Sequence, residues 1–324
     1  MSILEQWSGW LAEWAVPEGI LAAAPADPWT PPSDLFARRA DRAVGRIETA
    51  SARAVAEALL PAGSVLDVGA AGGAASLPFV GLATSLTAVD EREEMLAGLV
   101  DRVIGAGGAE PELVVGRWPD VADAVAVHDV VVSNHVLYNV PDVGLFLEQL
   151  TTHARRRVVV EITSRHPTDD LSPLWRRFHG VERPMHPTAD DVIAVLIEIG
   201  IHPSVTRWTG EVTDLPFEDY VALARRRLCL HPSMDREVEA ALRALGEQPR
   251  DLVTLSWAGR PGARHLTCSL ARCTGQLPAG YPYVTRRGSP ERAPVVISST
   301  WSWQCDASRQ YRGSTAIAQE ASKR

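Results

Sequence analysis

In the stretch "SVLDVGAAGGAASLP", Ser64 to Pro78, the acid Asp67 stands two residues ahead of a run of small side chains: Gly69, Ala70, Ala71, Gly72 and Gly73. A second acid, Asp90, follows 21 residues beyond Gly69. A polar cluster, Asn134, His135, Tyr138 and Asn139, comes later in "SNHVLYNV". Each of these has a chemistry. Small residues at a turn let the backbone approach a ligand closely, because Cβ bulk is absent or minimal. A helix after the turn offers unpaired N–H groups at its start. The Asp90 carboxylate can accept two hydrogen bonds from ribose hydroxyls. Taken alone, it equally caps a helix beginning at Glu91. Asp67 puts an anion beside the turn, which suits a cationic ligand better than a pyrophosphate. Taken alone, it is a brace for the loop. His135 is the natural base of the later cluster, since imidazole exchanges protons near neutral pH. Its bland counterpart is a histidine bonded to backbone, and Tyr138 and Asn139 equally read as structural polar groups at a helix start.

These residues need elements to hold them. Apolar, β-rich runs occur at "SVLDVG", "SLTAVD", "ELVVG", "HDVVVSN", "RRVVVEIT", "HPSVTRW" and "DLVTLSWAG". They show little alternation, as strands buried on both faces do. Between the first five lie alanine- and leucine-rich helical segments such as "EREEMLAGLVDRVIGAG" and "PDVGLFLEQLTTHARR". Strand–helix alternation predicts a parallel sheet covered by helices. "SDLFARRADRAVGRIETASARAVAEALLPAG" predicts one or two helices ahead of the first strand, stopped by Pro61 and Gly63. The Asp67 turn then falls at the mouth of the first strand, Asp90 at the end of the second, and His135 at the end of the fourth. Trp7, Trp10 and Trp14 fall at helical spacing, which predicts an amphipathic helix docked on the domain. The sharper alternative is a flap over a substrate.

The dinucleotide pattern GxGxxG is not met, because Ala71 stands where its second glycine belongs. An acid-flanked turn and a ribose acid point instead to S-adenosylmethionine, whose sulfonium and amino groups are cationic. "VLDVGAAGG" resembles motif I of the class I S-adenosylmethionine-dependent methyltransferases, with Asp67, Gly69 and Gly73 matching and Ala71 replacing the middle glycine. "LTAVDEREEML" resembles the second motif, "HDVVVSNHVLYNVPD" the fourth-strand motif and "RRVVVEIT" the fifth strand. The resemblance runs from about Ala52 to Gly210 and extends to about Gly259.

It implies a three-layer α/β/α sandwich around a Rossmann-like, seven-stranded, mostly parallel sheet with an antiparallel last strand. It further implies S-adenosylmethionine as cofactor, held by Asp67, Gly69, Ala70, Ala71, Gly73, Asp90, Glu91, Arg117, Trp118 and Asn134, with His135 and Tyr138 as catalytic residues. Trp118, in "VVGRWPD", either stacks on adenine or packs under the sheet, and Asp120 is a candidate for the acid near the adenine amine. The organisation expected is an N-terminal helical cap over residues 1–50, a cofactor-binding domain over 51–259 and a basic, unstructured tail over 260–324.

Methyl transfer chiefly requires alignment of a nucleophile with an activated methyl group. A base is needed only where the nucleophile starts protonated. The N/D-P-P-Y/F element of enzymes that modify planar amide or base nitrogens is missing, with "SNHVL" in its place. A small-molecule acceptor is therefore expected. Two inserted regions can shape its pocket. "SRHPTDDLSPLWRRFHGVERPMHPT" reads as a solvated loop rather than a metal site. "FEDYVALARRRLCLHPSMDREVEAALRAL" reads as two helices, whose Arg225, Arg226 and Arg227 form a solvated face or attract an anionic acceptor.

Bulk properties narrow the class. A net charge of −8 argues against nucleic acid as the main substrate. No apolar run reaches the roughly 18 residues that span a bilayer, and the acidic N-terminus is not read as a signal peptide. Four cysteines without a CxxC suggest neither a disulfide framework nor a zinc site, which fits a reducing cytoplasm. From Arg260 onward ten basic residues face three acidic ones. Two other readings stay open: a non-catalytic binder of the same nucleoside, using the basic tail as its contact surface, and a nicotinamide-dependent oxidoreductase. The oligomeric state is not legible.

Overall fold

The strand signals assemble into one sheet. A computed structural model describes residues 2–29, 35–210, 215–246 and 249–262. The tail expected over 260–324 lies outside these residues, apart from Arg260, Pro261 and Gly262. The strands are β1 (Gly63–Val68), β2 (Ala83–Asp90), β3 (Glu112–Val115), β4 (His128–Asn134), β5 (Ala154–Thr163), β6 (Ser204–Thr209) and β7 (Asp251–Ala258). Their order is β3-β2-β1-β4-β5-β7-β6. β1 pairs in parallel with β2 and β4, and β7 pairs antiparallel with both β5 and β6. This is the expected Rossmann-like, seven-stranded, mostly parallel sheet with an antiparallel last strand.

Among the described residues ten α-helices surround it: α1 (Ile3–Glu13), α2 (Glu18–Ala22), α3 (Leu35–Ala43), α4 (Ala50–Ala58), α5 (Leu99–Gly105), α6 (Val143–Thr152), α7 (Ser172–His179), α8 (Ala189–Glu198), α9 (Phe217–Arg227) and α10 (Asp235–Leu245). On one face Leu66, Val131 and Val160 of the sheet pack with Phe146 and Leu150 of α6 and Val192 of α8. On the other, Val65, Val130 and Val159 pack with Val55 of α4 and Leu99 of α5. A third cluster joins Trp175 of α7, Val221 of α9 and Val238 of α10.

The local chemistry explains the boundaries. Thr49 caps α4 through the Ala52 N–H, and Thr188 with Asp191 forms a capping box on α8. The helix expected over "EREEMLAGLVDRVIGAG" is divided into a short 3-10 turn at Glu93–Met95 and then α5. Gly98 stands between them at φ +77°, which no helical residue adopts. The region expected as a solvated loop after β5 contains α7, with Leu174 and Trp175 buried. No group of side chains able to hold a metal occurs among the described residues. The docked reading of the tryptophan helix is the observed one. Trp7 of α1 is fully buried, donates its indole N–H to the Val140 carbonyl at 2.8 Å and stacks on Tyr138.

Candidate functional site

β1 and β4 are neighbours whose connections leave toward opposite sides, which opens a crevice beyond their C-terminal ends. Side chains alternate along each strand. Since Val65, Ala88, Val132 and Val159 pack on the α4 face, Asp67, Asp90, Asn134 and Glu161 share that face, near the C-terminal ends of four adjacent strands. The sheet thus presents a polar row where its apolar core stops.

Asp67 has 0% exposure, and neither carboxylate oxygen has a hydrogen-bond partner. Burial pushes its carboxyl up to about 7; nearby Ser76 opposes this and the Asp90 charge adds to it. Ser76 is close enough to act on the carboxyl, yet its hydroxyl is directed at the Gly73 carbonyl. A buried carboxylate without a donor is costly and calls for a cation or N–H groups. Asp90 is different. One of its oxygens accepts the Ala71 N–H at 3.0 Å and the other the Arg92 N–H at 3.1 Å. It therefore ties the end of β2 to the turn after β1. A carboxylate has about four lone-pair sites, so acceptor capacity is left for a diol.

The turn itself is small for a reason other than the one expected. Gly69 at φ +74° and Gly73 at φ +90° need glycine for their backbone. A Cβ at Gly69 would collide with Val136, one at Gly73 with Leu99, and one at Gly72 would stand 2.9 Å from the Phe36 carbonyl of α3. Neighbouring protein, not a ligand, fills the Cβ directions of these three glycines. Ala71 adopts φ +44° without being glycine, and its N–H is the one that Asp90 holds. Ala70 is buried, and its N–H goes to the Val89 carbonyl at 3.0 Å.

The other residues divide. Glu91 stands beside Asp90 with its surface largely exposed; partial desolvation of its carboxyl raises it and the nearby Arg117 charge opposes this. Both lie at the rim. Trp118 is not at the crevice. Its ring is 5% exposed, meets His153 edge-on at 4.9 Å and sits in the core under the sheet, so neither face is left for an adenine. Asn134 ends β4, half-buried. Tyr138 is buried and donates its hydroxyl to the Thr163 carbonyl at 2.8 Å. Desolvation holds the phenol well above its ordinary range. It braces the loops after β4 and β5, and the expectation of a catalytic tyrosine is corrected on that ground. Arg225 pairs with Asp235 at 2.5 Å, whereas burial lowers Arg227, which stands in the field of Asp170. The triplet is therefore not a uniform solvated face.

His135 has the most particular geometry. It holds φ +61°, a left-handed backbone that costs a non-glycine residue about 1–3 kcal/mol. Its N–H donates to the Glu161 carbonyl at 2.8 Å, and its Nε2 lies 3.0 Å from Glu161 Oε1. The imidazole keeps 36% exposure while the Glu161 side chain keeps 9%. Burial raises the Glu161 carboxyl, but His135 and the Ser51 hydroxyl outweigh it and hold Glu161 below its ordinary value. Glu161 was missed as a functional candidate. Its signal was an acid inside the apolar run "VVVEIT".

No protein-family model and no curated protein sequence matches the chain. Solved structures with a similar fold include magnesium protoporphyrin IX methyltransferase from Synechocystis PCC 6803 with bound SAH, at 15% identity, 70% of this chain, 85% of that chain and a TM-score of 0.43. The YcgJ protein from Bacillus subtilis is similar at 12% identity, 65% of this chain, 99% of that chain and a TM-score of 0.45. Precorrin 8w decarboxylase from Methanobacterium thermoautotrophicum is similar at 15% identity, 68% and 95% coverage and a TM-score of 0.38. Likeness at this level assigns the chain no activity.

Proposed function

We propose that the protein is a class I S-adenosylmethionine-dependent methyltransferase acting on a small molecule. The observation that carries this reading is Asp67: a fully buried carboxylate, without a hydrogen-bond donor, beside a glycine turn at the sheet's switch point. Such a group fits a cationic ligand and is ill suited to a pyrophosphate. Asp67 would face the cationic end of the cofactor, and Asp90 would take its ribose hydroxyls while keeping the Ala71 N–H. Glu91 and Arg117 would border the nucleoside, with the turn residues Gly69 to Gly73 and Asn134 closing the remaining sides. When bound, S-adenosylmethionine supplies a methyl group activated by its sulfonium. The chain's own part is to align the acceptor and to take its proton. His135, half-exposed at the end of β4, is positioned for the second task. The net charge of −8 and the polar sequence "SNHVL" favour a small acceptor over nucleic acid.

The test is turnover. Incubation with methyl-labelled S-adenosylmethionine and a panel of phenols, enols and carboxylic acids should yield a labelled product by mass spectrometry. His135→Ala should slow it by about 10²–10⁴-fold, the usual worth of a positioned base. Binding of the cofactor with no transfer to any member of the panel would favour a non-catalytic binder instead.

A further inference from the structure

Behind His135 runs a buried polar chain that the reaction as outlined does not use. Glu161 sits in β5, and Thr254 faces it across the β5–β7 pairing. Ser51 of α4 is 3% exposed, and its hydroxyl lies 2.6 Å from the Thr254 hydroxyl. The Trp208 indole N–H, from β6, reaches the same Thr254 oxygen at 3.0 Å. One direction is fixed by the member that has no choice. An indole N–H only donates, so Thr254 accepts from Trp208. The Thr254 oxygen keeps a second lone pair, so the Ser51–Thr254 hydrogen bond can run in either direction, and Ser51 lies close enough to the Glu161 carboxylate to stabilise its charge. Glu161 is held as a carboxylate by His135 and Ser51 against the opposing effect of burial, and a carboxylate only accepts. The imidazole nitrogen that meets it, Nε2, must therefore carry a hydrogen.

We propose that Glu161, backed by Ser51, Thr254 and Trp208, is a positioning residue that fixes His135 as the Nε2–H tautomer and leaves Nδ1 as the atom that takes the acceptor's proton. The inference rests on the reading of His135 as the base. It also narrows the acceptor. Nδ1 of a neutral imidazole has a lone pair and no hydrogen to give, so it serves an acceptor whose nucleophilic atom loses a proton, such as a phenolic or enolic hydroxyl. A thioether or a tertiary amine has no such proton. The hydroxyl proton passes to Nδ1, and the imidazolium then formed faces the Glu161 carboxylate. From there the half-exposed ring returns the proton to water. The strained left-handed backbone of His135 and its N–H bond to the Glu161 carbonyl hold the ring in place from the main-chain side.

The tautomer can be read without any turnover, from long-range proton–nitrogen correlations of the full chain labelled at histidine, with His135→Asn identifying the signal. The expected result is a neutral His135 protonated at Nε2. Glu161→Gln, which has an amide that can also donate, should reduce that preference and lower kcat about tenfold or more, with KM for the cofactor little changed. Protonation at Nδ1 in the wild-type chain, or an even mixture, would overturn the assignment whether or not the variant folds. An unchanged tautomer in a folded Glu161→Gln protein would overturn the role of Glu161. A wild-type His135 protonated at Nε2 in a protein that transfers no methyl group would keep the positioning and sink only the function.

Discussion

Asp67 and Glu161 are buried acids on one face of the sheet, and their environments push them in opposite directions. Asp67 is raised from 3.8 to about 7 by burial. The folded state therefore holds its proton to a higher pH than the unfolded chain does. The contribution this makes to stability is full below about pH 4 and is lost as pH rises toward 7. The loss approaches about 4 kcal/mol at about 1.4 kcal/mol per pKa unit, an upper figure. Glu161 is lowered, chiefly by His135 against the opposing effect of burial. Its contribution is present above the ordinary glutamate range and is lost as pH falls through its folded value. Asp67→Asn should therefore raise the melting temperature of the ligand-free protein at pH 8, by about 2–4 °C for each kcal/mol recovered. It should change little at pH 3, below the ordinary aspartate value of 3.8, where the carboxyl is mostly protonated in both states. Thermal melts at the two pH values check this, and an equal effect at both would contradict the buried, donor-less carboxyl.

The elements around the site differ in how much they reveal beforehand. The central strands β1, β4 and β5 are legible as apolar runs, because strands buried on both faces leave an unbroken hydrophobic signal, whereas the edge strands β3 and β6 are mostly exposed and show it less. Asp90 is legible as the acid that ends β2. Its bond to the Ala71 N–H is not, since that needs the register of two strands and the shape of the turn. Glu161 is harder still: its meaning comes from His135, the residue just past the end of β4, brought beside it by β4–β5 pairing. Trp118 misleads because a tryptophan near a predicted strand end looks the same whether it points up to a ligand or down into the core. The helix carrying Trp7 is the clearest case of period and packing agreeing. Trp7 fills the space between α1 and the rest of its cluster and ties its indole to the Val140 carbonyl. Trp7→Ala should destabilise the fold by about 3–5 kcal/mol, as large-to-small aromatic changes in cores do. A denaturant titration with an unchanged slope would register it as a lowered midpoint. A loss below about 1 kcal/mol would mean that α1 is not docked through this residue.

For the molecule as a whole, the sheet order sets where chemistry can occur. The reversal between β1 and β4 gathers Asp67, Asp90 and His135 at one edge, although they are far apart in the chain. Among the described residues no helix is long and apolar enough to cross a membrane. The helices α7, α9 and α10 add a hydrophobic cluster of their own after the fifth strand. That arrangement leaves one edge of the sheet polar and partly solvated, and the proposed cationic donor belongs there. Calorimetric titration of the full-length protein with S-adenosylmethionine tests this most directly, run at pH 7 in two buffers of different ionisation enthalpy. Saturable binding is expected, with release of about half a proton as Asp67, whose carboxyl is pushed up to about 7, ionises against the cation, with abolition of that release in Asp67→Asn and with a loss of about 1–3 kcal/mol of affinity in Asp90→Ala. Absence of binding, or binding that neither moves a proton nor responds to either substitution, would contradict it.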